Sequence, residues 1–248
     1  MIMVGCPVRN RDWIIEDYLQ AIENQEISKK EIHLAFLLNN STDNTGCIIK
    51  RKTRNAGYKK VDIFTLRSDS YYDRKENRDF THLAEVRNKW LAMRRKLDEY
   101  IVSIDSDVIL KDDDAIVRMI STELPIISAP VLNLYVAGVG HYNILQSVGD
   151  DYKHIYAPER ENFTLFNGDR IIKVGSTGAC VSIRRDVLNS GVHYKYHKSG
   201  EDQGFSQLAF ECGYESYCNL DIHTVHATDM WRWIEYGEGL KSEISRNF

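Results

Sequence analysis

Paired cysteine, proline and long apolar runs are all scarce in this chain. Its 248 residues include four prolines and five cysteines. Cys6, Cys47, Cys180, Cys212 and Cys218 are odd in number and scattered, and none forms a CxxC pair. That excludes a disulfide framework or a zinc ribbon and predicts reduced, buried thiols. There is no internal repeat, no low-complexity tract and no Pro-rich linker, so a single domain is expected. Basic excess is also absent: 32 Lys and Arg stand against 36 Asp and Glu, a net charge of -4. A protein that grips nucleic acid by its phosphates is usually basic, which demotes that partner class. No apolar run reaches the roughly 18–20 residues that cross a bilayer. The longest uncharged stretch, LPIISAPVLNLYVAGVGHYNILQSVG, is broken by Pro, Asn, His and Gly. The opening MIMVGCPV is short and has no basic lead, unlike a secretory signal. The expectation is a soluble, cytoplasmic protein without a transmembrane segment.

What is present is an alternation of strand-like and helix-like stretches. IMVGCPV has strand length and runs to Pro7-Val8. DWIIEDYLQAIENQ follows with Ile15, Tyr18 and Ile22 at helical spacing and Asp12 placed to cap. IHLAFLL is continuously apolar, as a strand buried on both faces should be. NNSTDNTG then breaks the chain before the basic helix CIIKRKTRN and the strand VDIFTL. RSDSYYDRKENRDF reads as a mobile loop. LAEVRNKWLAMRRKL is the best helix, with Leu83, Val86, Trp90, Met93 and Leu97 on one stripe. YIVSI, PIISAPVLNLYV, RIIKVG and ACVSI read as strands, the last two flanking the turn GSTG. GEDQGFSQLAFECGY reads as a helix closed at Gly213, and SYCNLDIHTVHA as a strand. Between Gly138 and Asp169 no period is legible, and connections that long are more often functional than idle. The order predicts an α/β fold with a parallel sheet and helices on both sides.

The carboxylates of Asp105 and Asp107, with Ser106 between them, close the fourth strand. Ligands of open α/β sheets sit at the carboxyl ends of strands. Two aspartates pointing the same way there would repel unless a hard divalent cation, shared with a diphosphate, neutralised them. The plainer reading is one turn-capping carboxylate and one solvated. Glu201 and Asp202, after Gly200, stand at a helix start, where an aspartate is also an ordinary cap. Arg9, at the tip of the first strand, could meet a nucleotide; Arg87 could reach Asp105 or a pyrophosphate. Either could equally be a surface ion pair.

VGCPVRNR, LLNNSTDNTG, AEVRNKWL, SIDSDV, GSTGACVSIRRDVL and GEDQGF occur in this order over nearly the whole chain. Together they resemble the motifs of GT-A fold glycosyltransferases, family 2 in particular. The resemblance implies a Rossmann-like nucleotide-binding sheet with a smaller acceptor-side sheet. Residues 1–110 would form the nucleotide-sugar half and 111–248 the acceptor half. It implies nucleotide contacts from Pro7, Val8, Arg9, Asn39, Arg87, Asp105 and Ser106. A metal, Mn²⁺ or Mg²⁺, would be held by Asp105, Asp107 and His226, with His223 in reserve. Asp202 would be the catalytic base and Glu201 its neighbour, orienting an acceptor hydroxyl or tuning the base. One departure is Asn39-Asn40, where the family usually carries an acid that reads the base; an amide still hydrogen-bonds a base edge.

The resemblance thus implies a metal-dependent transferase moving a sugar from a nucleotide diphosphate sugar, UDP-linked by expectation, to an acceptor hydroxyl with inversion. The acceptor could be a glycan, a lipid-linked sugar, a small molecule or a protein. A retaining mannosyltransferase of the same fold is the nearest alternative. A sugar-phosphate nucleotidyltransferase would need a Gly-rich loop that CPVRNRDW lacks, and a non-catalytic binding module would not need four intact acids. Trp231, Trp233 and Tyr236 could stack on a sugar, line the core or close over the donor.

Overall fold

The computed structural model describes residues 1–67, 79–136, 139–148, 151–154 and 164–228. The chain opens with strand β1 (Ile2–Val8), helix α1 (Ile15–Glu23), β2 (Ile32–Asn39), α2 (Thr45–Thr53), β3 (Lys60–Leu66), α3 (Phe80–Leu91) and β4 (Tyr100–Ile104). Strands β1 to β4 lie parallel in the order β3-β2-β1-β4. A Cβ at Gly5 would lie 2.1 Å from the Ala35 carbonyl oxygen, and φ there is +143°. Only glycine lets β1 and β2 approach this closely.

Period-two alternation gives the sheet two buried faces. Val4, Leu34 and Phe36 pack with Ile15, Tyr18 and Ile22 of α1 and with Ile49 of α2. Met3, Ala35 and Leu37 pack on the other face with Val86 and Trp90 of α3. The indole N–H of Trp90 donates to the Ala35 carbonyl at 2.8 Å, so the largest buried side chain has its polar atom satisfied.

The second half continues with β5 (Val108–Leu110), α4 (Ala115–Ile120), β6 (Ile126–Ser128), β7 (Leu132–Val136), β8 (Val139–Tyr142), β9 (Ile144–Val148) and β10 (Asp151–His154). Then come β11 (Thr164–Phe166), β12 (Asp169–Val174), β13 (Ser176–Thr177), β14 (Cys180–Arg184), α5 (Arg185–Asn189), α6 (Glu201–Glu211), β15 (Ser216–Asn219) and β16 (Thr224–His226). Strand β14 runs antiparallel to β4 and carries the sheet on through β6, β15, β12 and β11, giving nine strands. Strands β10-β9-β13, β7-β8 and β16-β5 form three small sheets. The architecture is therefore α/β with a large, mostly parallel central sheet. Among the described residues no helix is long and apolar enough to cross a membrane.

Several expectations are corrected. Asp12 does not cap α1, which starts at Ile15 without a side-chain cap; its carboxylate accepts from the Asn44 N–H instead. Helix α3 stops at Leu91, leaving Met93 half-buried and Leu97 67% exposed. The Asp98 carboxylate accepts from the Arg95 N–H at 2.7 Å and faces buried His33 at 2.8 Å, which turns the chain into β4. PIISAPVLNLYV is split at Ala129-Pro130 into β6 and β7. GSTG is no simple turn: Ser176–Thr177 pairs with β9. SYCNLDIHTVHA is two strands, β15 and β16. The stretch without a period, Gly138 to Asp169, contains β8 to β11, whose three to five residues each are too short to print an alternation. All five cysteines are free, but Cys47 and Cys212 are exposed. The stretch read as a mobile loop lies mostly outside the described residues, as do Trp231, Trp233 and Tyr236.

Candidate active site

Two loops at the carboxyl end of the sheet are tied together by their own polar side chains. The Asn10 N–H donates to Ser41 Oγ at 3.2 Å, and the Thr42 N–H donates to Asn10 Oδ1 at 2.9 Å. The Arg11 N–H donates to Thr45 Oγ1 at 2.7 Å, and the Asp12 N–H donates to Asp43 at 3.0 Å. Asn10 and Asn40 both have positive φ, at 49° and 50°, a conformation that asparagine tolerates better than most residues. The Ser-Thr-Asp-Asn-Thr run after β2 is therefore a clasp that fixes the turn after β1. Pro7 and Val8 end β1 below it, and Ser41 Oγ donates to the Val8 carbonyl at 3.4 Å. Asn39 ends β2 with its Oδ1 buried and without a hydrogen-bond partner among the described residues. An orphaned acceptor at a strand's carboxyl end suits an N–H from a ligand.

Asp105, Ser106 and Asp107 form the turn out of β4, closed by the Val108 N–H donating to the Asp105 carbonyl at 2.9 Å. The two carboxylates do not share one environment, contrary to expectation. Asp105 accepts from Arg87 Nη1 at 3.1 Å and from Nη2 at 3.3 Å. Asp107 Oδ2 accepts from Arg11 Nη2 at 2.8 Å, and its Oδ1 lies 3.7 Å from His226 Nε2. The β16–β5 pairing sets His226 opposite Val108 and so beside Asp107, while His223 is directed to Asp112, its Nδ1 3.1 Å from that carboxylate. Arg11, which reaches Asp107 across 96 positions of sequence, was not foreseen; Arg9 was, and its carbonyl receives a bond from Arg11 Nη1. No periodicity announces a side chain that acts by reach, although the RNR tripeptide offered both.

Glu201 and Asp202 open α6 behind Gly200, whose φ of +138° favours glycine. Glu201 is buried and accepts from Arg87 Nε at 3.0 Å, with Asp202 Oδ1 3.9 Å from the same nitrogen. The Arg87 guanidinium lies 5.4 Å from the Tyr194 ring centre. Asn88 Nδ2 donates to the Tyr194 carbonyl at 2.7 Å, and Asn88 Oδ1 accepts from the Tyr194 N–H at 2.9 Å. Burial pulls the Arg87 pKa down, but Asp105, Asp202 and Glu201 outweigh it and hold the group well above its ordinary value. One permanently charged guanidinium thus links the end of β4 to the start of α6. A Cβ on Gly178 would sit 2.1 Å from Asp202 Oδ2, so the chain before β14 leaves a space that the Asp202 carboxylate fills.

Among the described residues no group of three His, Cys, Asp or Glu is placed to hold a metal ion. Asp107 and His226 nonetheless offer a carboxylate oxygen and an imidazole nitrogen at 3.7 Å, too far for a hydrogen bond and within the span of two ligands on one ion. The pair would supply two ligands to a divalent cation, and the remainder would have to come from a bound anion.

Comparison with known proteins adds the following. The model of glycosyltransferase family 25, N-terminal domain, matches residues 1–164. A glycosyltransferase 25 family member from Aedes aegypti is 30% identical over 144 residues, covering 53% of this chain and 23% of its own length. Among solved structures, S. aureus TarS in complex with UDP aligns over 91% of this chain and 60% of its own, with a TM-score of 0.61 at 16% identity. A mannosyltransferase from Pyrobaculum calidifontis in complex with GDP-Man and Mn²⁺ covers 92% of this chain and 57% of its own, with a TM-score of 0.58 at 14% identity. GalNAc-T7 with UDP, GalNAc and Mn²⁺ covers 91% and 43%, with a TM-score of 0.63 at 13% identity. At these identities the likeness is one of fold, and the fold is GT-A. The motifs resembled family 2, whereas the matching family is 25; the fold expected from them is the one found.

Proposed function

Because this chain belongs to glycosyltransferase family 25, we propose that its sheet-end cleft takes a nucleotide diphosphate sugar and passes the sugar to an acceptor hydroxyl. The observation that carries this is the meeting of Asp105, Glu201 and Asp202 on one buried guanidinium, which sets the end of β4 beside the start of α6. Residues 1–110 serve the donor and 111–248 the acceptor.

The donor is a UDP-sugar on this reading. The orphaned Asn39 Oδ1 accepts an imino N–H of the base, and Pro7 and Val8 end the neighbouring strand, with Arg9 next in the chain. Asp107 and His226 would hold a divalent cation, Mn²⁺ by the mixed oxygen and nitrogen donor set, and its charge would offset that developing on the leaving diphosphate. Asp202 takes the acceptor hydroxyl proton while the oxygen attacks the anomeric carbon from the face opposite the diphosphate, inverting the configuration. Glu201, with only a small part of its side chain exposed and bonded to Arg87, holds the start of α6 and so the base beside it. Asp105, with both oxygens on Arg87, shares that task.

The test is a panel of nucleotide sugars with Mn²⁺, reading released diphosphate and the anomeric configuration of the product. Asp107→Asn should abolish metal-stimulated release. Asp202→Asn should bind donor normally and lose transfer by about 10²–10⁴-fold, the range of a general base. Normal turnover by Asp202→Asn removes the base assignment, and a product of retained configuration removes the single displacement.

A further inference from the structure

Arg11 stands outside every role given above, yet it makes the shortest contact of either carboxylate in the Asp105–Asp107 turn, 2.8 Å from its Nη2 to Asp107 Oδ2. Its other terminal nitrogen, Nη1, donates to the carbonyls of Arg9 and Asn10 at 3.4 and 3.3 Å. Its backbone N–H is held by Thr45 within the clasp of the two loops. The guanidinium is therefore held by two carbonyls besides Asp107, on a backbone that Thr45 pins. Its Nε is buried and without a hydrogen-bond partner among the described residues. A buried unsatisfied N–H costs free energy, so this placement is not what stability alone would select.

The contact also divides the carboxylate. Oδ2 is taken by Arg11, while Oδ1 is turned toward His226 Nε2 at 3.7 Å. A free aspartate at a turn could rotate about its terminal bond; this one has a single oxygen presented to the imidazole. Ligating carboxylates are themselves hydrogen-bonded, and those outer partners set their orientation.

We propose that Arg11 is a positioning residue for the cation: by fixing Asp107 Oδ2 it directs Oδ1 at the ion shared with His226. The inference rests on the metal reading of Asp107 and His226. It further implies that Asp107 ligates through one oxygen, because the other is held by the Arg11 guanidinium.

Mn²⁺ uptake by the whole chain tests this without reference to turnover. Free Mn²⁺ is titrated by its electron paramagnetic resonance signal, with and without UDP, for the wild type, Arg11→Met and Arg11→Lys. Thermal unfolding in EDTA confirms that each variant folds. Arg11→Met, similar in bulk and without donors, should weaken Mn²⁺ binding by about 10–100-fold, the usual effect of removing an outer-shell partner. Arg11→Lys, which keeps the charge and loses the fork, should recover part of the affinity. Unchanged or tighter Mn²⁺ binding in Arg11→Met overturns the positioning role, since Arg11 would then be neutral to the ion or a competitor for Asp107. If Arg11→Met does not fold, Arg11→Lys alone decides: wild-type affinity overturns the role, and a measurable loss supports it. A wild type that binds no Mn²⁺ under either condition removes the metal reading itself, and the inference with it.

Discussion

Asp202 owes its position to the residue that faces it. Gly178 has no side chain, and adding one methyl group would bring a carbon within 2.1 Å of Oδ2 and 2.4 Å of Cγ. The carboxylate is too short to bend clear, so in Gly178→Ala it must rotate away. A displacement of about 1 Å at a reacting group lowers rate roughly 10²-fold. Gly178→Ala should therefore lose transfer by that order while its affinity for UDP, measured by calorimetry, stays within twofold of wild type. At this scale the sequence was readable wherever function coincides with a structural boundary. Asp105 and Asp107 follow a buried strand, and Glu201 and Asp202 begin a helix, so their chemistry could be suspected from their neighbours. Gly178 and Arg11 also lie in turns between elements, but nothing in their neighbours points to the partner each meets. Their importance comes from a contact with a residue 24 positions away in one case and 96 in the other.

Between elements, Arg87 joins α3 to β4 and α6 at once. Its side chain is 13% exposed and that of Glu201 8%, so neither charge is well solvated. Removing one partner of a buried ion pair leaves an uncompensated charge, at about 3–5 kcal/mol. Arg87→Met should lower the urea midpoint accordingly at unchanged slope, and adding Glu201→Gln should restore part of the loss. If the double variant is no more stable than the single, the pair does not carry this energy. The helices were legible to different degrees for physical reasons. Helix α1 shows in its buried Ile15, Tyr18, Leu19 and Ile22. The end of α3 did not, because Asp98 captures the Arg95 N–H and breaks a stripe that the sequence continues to Leu97. Strands of three to five residues between Gly138 and Asp169 carry too few side chains to alternate visibly.

For the whole molecule, acid should weaken the pairs that Arg118 and Arg170 make with Asp169 and Asp221. Hydrogen bonds from Arg118 and Arg170 hold Asp169 and Asp221 below the usual carboxylate range. A carboxylate with a depressed folded pKa adds stability that is complete above its unfolded value near pH 4 and is lost as pH falls through the folded one. Melting temperature should therefore decline from about pH 5 downward, and Asp169→Asn with Asp221→Asn should be less stable at pH 7 and decline less on acidification. A parallel acid limb in the double variant would show that these pairs do not govern it. The central ladder sets a further limit. Strand β14 pairs residue for residue with β4, Cys180 against Ile104, and the Asp105 N–H donates to the Ala179 carbonyl at 2.6 Å. Seams for recombination between relatives therefore cannot fall between residues 110 and 111 at will: a chimera that imports residues 111–248 also imports the rail on which the Asp105–Asp107 turn rests.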